Sequence, residues 1–217
     1  MNVAVIADIV GSRTLPDRAA AQRLLEDAIA RVERDVPLAV RELRSTVGDE
    51  LQGVYPSLDA AMAALLLLRL ALPDDVDCRF GVGVGALGEV PSRAGALAEG
   101  PGWWAAREAI DVIHAKQART IPGARTWVAV DANAAHVQLG LANAYLLARD
   151  QLVSAMSART RRLVYGRLLG VTQAELAAAE GITQSAVSQA LGAAGAGALV
   201  DGFAQLRDQI DGSRSRG

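Results

Sequence analysis

Cysteine, histidine and long apolar runs are the scarce features of this chain. A lone Cys78 excludes an internal disulfide, and two histidines, His114 and His136, have no partner at metal-ligand spacing. The longest apolar run, residues 60–68, stops at Arg69 and falls well short of the ~20 residues a membrane span needs. The opening Met-Asn-Val-Ala-Val has no basic segment followed by an apolar one, so a soluble protein of the reducing cytoplasm is expected. Charge of one sign is missing too. A net charge of -2 gives no overall preference for nucleic acid or membrane. The balance is uneven, however: residues 157–217 carry seven Arg against five Asp and Glu, leaving the preceding part at -4. With 217 residues, 51% of them hydrophobic, the chain can bury one large core and a smaller one.

What is present reads as alternating strands and helices. Residues 3–7 form an apolar run suited to a buried strand, and residues 16–34 place Ala20, Leu24, Ala28 and Val32 at helical spacing. Residues 43–47 and 51–55 are short strand-like runs separated by Gly48, Asp49 and Glu50, a hairpin pattern. A strongly apolar helix covers 58–72. The stretch "CRFGVGVGA", residues 78–86, is a strand whose glycines imply a close neighbour. A helix over 102–117 and a strand over 125–130 complete an order βαββαβαβ. This is an α+β fold, a mostly antiparallel sheet with helices on one face.

The segment "VAVIADIVGSR" delivers a carboxylate, Asp8, at a strand tip beside a small-residue turn. Asp49 lies in the turn of the next hairpin, where adjacent strands would bring it close to Asp8. Two such carboxylates repel unless a divalent ion lies between them, and Mg²⁺ or Mn²⁺ suits the pair together with nucleotide phosphates. The backbone carbonyl of Ile9 is a further donor and Glu50 a weaker one. Gly11 and Ser12 precede a helix N-terminus that favours phosphate, with Arg13 and Arg18 able to add charge-assisted bonds. An aspartate in either place also serves as a plain turn residue. Trp103 and Trp104 cannot both face inward on one helix; one stacks on a base or covers an interface.

The motifs "ADIVGSR", "TVGDELQGVY", "RFGVGVG" and "GPGWWAAREA" together resemble the SatD family, whose larger part is similar to the catalytic domain of class III nucleotidyl cyclases. The resemblance implies a ferredoxin-like, cyclase-type sheet in which Asp8 and Asp49 hold metal ions over a nucleotide. It also makes Arg107 a transition-state residue if the domain is active. Two positions depart from the cyclase pattern: Ser45 stands where a base-reading lysine is usual, and Trp103 where an asparagine is usual. Binding without turnover is the reading these departures favour, with Trp103 as a stacking platform.

The last third carries "TQAELAAAEGITQSAVSQAL", residues 172–191, with the spacing of a helix-turn-helix. Leu176, Ala177, Ile182, Val187 and Leu191 point inward, Gly181 makes the turn and Thr183 caps the second helix. Thr183, Gln184, Ser185, Ser188 and Gln189 are left to face DNA, and Arg161 and Arg162 on the preceding helix to meet its phosphates. The division expected is a cyclase-like domain over 1–132, a helical connector over 133–156, a small all-α helix-turn-helix domain over 157–211 and a flexible tail over 212–217. The reading that follows is a cytoplasmic, dimeric transcription regulator whose first domain binds a nucleotide or cyclic dinucleotide with Mg²⁺. Its alternatives are an active metal-dependent nucleotidyl cyclase regulated by its helix-turn-helix, and a constitutive DNA-binding protein with a vestigial first domain.

Overall fold

The first apolar run, Val3–Ile9 (β1), is the middle strand of a five-stranded sheet. The computed structural model describes residues 1–12, 16–46, 50–92, 95–132 and 138–214. After β1 come α1 (Arg18–Asp35), β2 (Arg41–Ser45), β3 (Glu50–Tyr55), α2 (Leu58–Ala71) and β4 (Cys78–Val84). A second hairpin, β5 (Gly88–Ser92) and β6 (Gly95–Glu99), precedes α3 (Pro101–Arg119) and β7 (Thr126–Val130). Five helices close the chain: α4 (Leu139–Ser154), α5 (Ala158–Leu168), α6 (Gln173–Glu180), α7 (Gln184–Ala193) and α8 (Ala196–Arg214). The sheet runs β2-β3-β1-β4-β7, antiparallel throughout except for the β4–β7 pair. The β5–β6 hairpin was not expected; Pro91 and the surrounding glycines give it no strand-like alternation.

Helices cover both faces of the sheet, which corrects the expectation of one. Val3, Val5, Ala7 and Ile9 belong to the cluster that holds α1 and α2, whereas Ala4 and Ile6 pack with Trp103, Ala106 and Ile110 of α3. The glycines of β4 make the second face accessible. A β-carbon at Gly81 would overlap the carbonyl oxygen of Ala106, and one at Gly83 that of Gly102, so the α3 backbone rests directly on the strand. The close neighbour that those glycines imply is therefore a helix.

On the first face, α2 is apolar all round because it is covered all round. Eleven consecutive residues, Ala60 to Leu70, are buried, with the sheet on one side and α5 and α8 on the other. The buried cluster runs on without a break into Leu163, Val187, Leu199 and Phe203, and the Tyr165 hydroxyl donates to Asp35 of α1 at 2.7 Å. The helix-turn-helix segment is thus not shown as a separate domain. α8 continues to Arg214, through residues expected to begin a tail.

The open edge of β7 is closed by side chains of α4. Asn143 accepts from the Val128 N–H at 2.8 Å and donates to the Val128 carbonyl at 3.0 Å. Asp150 accepts from the backbone N–H groups of Arg125 and Thr126 at 2.8 and 2.6 Å. Two polar residues thereby take the place of a sixth strand and remove a pairing edge. Asp150 is fully buried and also receives Arg69 of α2 and its neighbour Arg149. Burial would raise its pKa, but the two guanidiniums and these hydrogen bonds outweigh that and hold it below the usual carboxylate range.

Candidate functional site

Strand register places three charged residues in one row, and α3 adds a fourth. Asp8, at the end of β1, lies opposite Glu50 on β3 and opposite Arg79 on β4. All three face α3, whose Arg107 reaches back to Glu50. Two carboxylates directly opposite one another across a strand pair are unfavourable unless neutralised, and here each has its own guanidinium. Arg79 Nε and Nη2 donate to the two oxygens of Asp8 at 3.0 and 2.9 Å, while its Nη1 donates to Gln117 at 3.2 Å. Arg107 makes a second two-pronged pair with Glu50, its Nη2 donating to Oε1 at 2.8 Å and its Nη1 to Oε2. That hydrogen bonding, opposed only in part by burial, keeps the Arg107 guanidinium still more firmly protonated. Gln52 donates to Glu50 at 3.0 Å.

The row opens on a cleft of about 460 Å³ that Gly11, Ser12, Asp111 and His114 also line. Gly11 takes a left-handed turn, φ 69°, that brings the buried Ser12 to its wall. A neighbouring groove of about 310 Å³ shares Ile6 and Arg107 with the cleft and continues past Gln52, Glu99 and Trp104. Of the expected ligand residues, the structure gathers Asp8, Ile9, Gly11, Ser12, Glu50 and Arg107 at this cleft. Arg18 opens α1 and does not line it. Asp49 and Arg13 lie outside the described residues.

Trp103 is corrected. It is only 5% exposed and packs on Ala4, Ile6 and Val54, beneath the Arg41 guanidinium 5.5 Å from its ring. It leaves little surface to the two grooves that it borders. The exposed indole is Trp104, at 61%, whose Nε1 donates to Glu99 at 2.9 Å. Arg79 is the functional candidate missed in the sequence. The available clue was its alternation with Gly81 and Gly83, which sets it on the same face as Asp8.

The hard oxygen donors Asp8 and Glu50 are of the right chemistry for Mg²⁺. Both are already engaged by arginines, and among the described residues no group of three His, Cys, Asp or Glu side chains could hold a metal ion. As arranged, the described donors do not fit a metal ion.

The family model of the SatD family matches residues 2–200. The chain belongs to the SatD family. No curated protein matches it. Among solved structures, this SatD chain is similar to cyclase-type folds. A bacterial light-regulated adenylyl cyclase aligns with 58% of it at 12% identity and a TM-score of 0.44, and the match spans only 42% of that cyclase chain. An adenylate cyclase from Trypanosoma brucei aligns with 52% of the SatD chain and 68% of its own at 15% identity and TM-score 0.42. The catalytic core of a rhodopsin-guanylyl cyclase in complex with ATPαS aligns with 51% of the SatD chain and 71% of its own, at 17% identity and TM-score 0.40.

At the other end of the SatD chain, α6 and α7 form the expected helix pair. Thr172 and Glu175 make a reciprocal capping box, Gly181 ends α6 at φ 65°, and Thr183 caps α7 by accepting from the Ala186 N–H. Gln184, Ser185, Ser188 and Gln189 are exposed while Val187 and Leu191 are buried. The two arginines expected to meet phosphates are both paired within the chain. Arg161 is turned inward, donating to Asp74 at 2.6 Å and to the carbonyls of Leu72 and Met156. Arg162 is held by Glu180 through two bonds of 2.7 Å. Among the described residues, no helix is long and apolar enough to cross a membrane.

Proposed function

We propose that this SatD chain binds a nucleotide at the cleft beside Asp8 and holds it without turning it over. The row Arg79, Asp8, Glu50, Arg107 carries the proposal. Two guanidiniums on one wall, each able to exchange a carboxylate for phosphate oxygens in the same two-pronged geometry, suit a polyanionic ligand. The adjoining groove along Gln52 and Trp104 gives a base a place to lie. Support for binding rather than catalysis comes from Trp103, which stands at the position of a catalytic asparagine and is packed in the core. Because Arg79 holds Asp8, Mg²⁺ or Mn²⁺ enters this reading only as a companion brought in with the phosphates.

Thermal unfolding with ATP, GTP, cyclic mononucleotides and cyclic dinucleotides, each with and without Mg²⁺ or Mn²⁺, tests it. A ligand at 100 times its dissociation constant stabilises by ~2.7 kcal/mol. The expected result is a saturable shift, abolished by Arg107→Gln, with the ligand recovered unchanged by chromatography. Recovered product would instead make the protein a cyclase-type enzyme, and no shift with any nucleotide would overturn the reading.

A second reading, DNA binding by a SatD dimer, is favoured by the exposed polar row on α7. With Arg161 paired to Asp74 and Arg162 to Glu180, phosphate contacts have to displace a carboxylate, so the expected slope of log K against log salt is shallow, about -2 or less per protomer at roughly -0.9 per contact. Fluorescence anisotropy on genomic fragments at several salt concentrations measures it. Sequence-specific binding lost in Gln184→Ala/Gln189→Ala supports this role; equal affinity for all fragments, unaffected by that pair, removes it.

A further inference from the structure

A second polar pocket, of about 130 Å³, lies where α4 and α5 meet the loop between α2 and β4. Its walls include Arg69, Asp74, Asp77, Arg125, Ser154 and Arg161. Three guanidiniums, from α2, from the residue just before β7 and from α5, therefore converge on a space the size of a few water molecules. Arg69 is almost wholly buried, bonded to Asp150 at 2.8 Å and to Ser154 at 3.0 Å. Arg125 is paired with Asp77 at 2.6 Å. Arg161 reaches Asp74 through Nη2 at 2.6 Å, and its Nε is buried without a hydrogen-bond partner among the described residues.

The charges do not balance. Counting the buried Arg149 beside Asp150, four guanidiniums meet three carboxylates, and one of those carboxylates, Asp74, is 66% exposed. An exposed carboxylate is a weak partner for a buried cation, and a buried cation short of a partner is costly. Burial lowers the Arg69 pKa against the opposing pull of Asp150.

We propose that this pocket binds a phosphate-sized oxyanion. The anion takes the place of Asp74 on Nη2 of Arg161, displacing that carboxylate toward solvent, and tethers α5 to the loop between α2 and β4. The pocket's size limits it to inorganic phosphate or the phosphate end of a small monoester.

The test uses the full chain, titrated with inorganic phosphate and with glycerol 3-phosphate against sodium chloride of equal ionic strength, read by thermal unfolding and calorimetry. Saturable stabilisation by phosphate but not by chloride is expected. Arg161→Gln abolishes it. Asp74→Asn, at an exposed position that leaves the fold intact, removes the competing carboxylate and tightens binding by about threefold or more. A response lost in Arg107→Gln but kept in Arg161→Gln puts the phosphate in the other cleft and overturns the proposal. Equal responses to phosphate and glycerol 3-phosphate support a site for monoester ends, and a response to phosphate alone supports a closed anion site. No saturable response, or one indifferent to both Asp74→Asn and Arg161→Gln, overturns the proposal.

Discussion

Removing the Asp8 carboxylate leaves the Arg79 guanidinium buried without its ion partner. Taking away one member of a buried pair is costly, so Asp8→Ala is expected to lower stability by about 3 kcal/mol in urea unfolding. The Glu50–Arg107 pair is half open on the arginine side, and its loss costs about 1 kcal/mol or less. The contrast decides which variants probe the cleft: a binding defect in Glu50→Gln or Arg107→Gln reports on the site, whereas one in Asp8→Ala also reports on the fold. Asp150 sets the acid limit. Its folded pKa is depressed, so its contribution is complete above the unfolded value of about 3.9 and is lost as pH falls through the folded value. Thermal melts of wild type and Asp150→Asn should therefore run parallel from pH 5 to 8. Below about pH 4 they should converge, as the wild type alone loses this contribution.

At the scale of elements, two contacts between helices and sheet are tight enough to predict. Gly83→Ala drives a β-carbon into the Gly102 carbonyl and is expected to cost about 3 kcal/mol, because both backbones are held by their own hydrogen bonds and neither can yield cheaply. Asn143→Ala strips the Val128 N–H and C=O of their partners and should cost about 2–4 kcal/mol. Denaturant midpoints at constant slope measure both. These elements differed in how far they could be read from the sequence. The α6–turn–α7 unit was legible because its determinants are local: a capping box, a glycine with positive φ and an N-cap threonine. The β5–β6 hairpin and the sheet-edge role of Asn143 and Asp150 were not, since neither has a periodic pattern and both depend on partners far away in the chain.

For the whole molecule, the covering of α2 is the central fact. Its outer face meets α5 and α8, so a fragment ending at residue 156 would expose a contiguous apolar surface. Such a fragment is expected to lose cooperative unfolding and to bind a hydrophobic dye, as apolar patches of this size are not left open in soluble monomers. A sharp, dye-negative transition would show instead that the N-terminal part stands alone.

The sequence by itself determined the order of the five sheet strands and of α1 to α3 among them, the burial of the β1 run and the local geometry of the α6–α7 pair, because periodicity and capping act within a few residues. It also brought the hairpin that carries Asp49 and Glu50 next to the strand tip that carries Asp8. Only the tertiary structure decided that Arg79 and Arg107 neutralise those carboxylates, that Trp103 rather than Trp104 faces inward, and that Arg161 and Arg162 are spent on Asp74 and Glu180. Each of these is a choice of partner between residues distant in the chain, where electrostatics and packing select among many candidates of the same residue type.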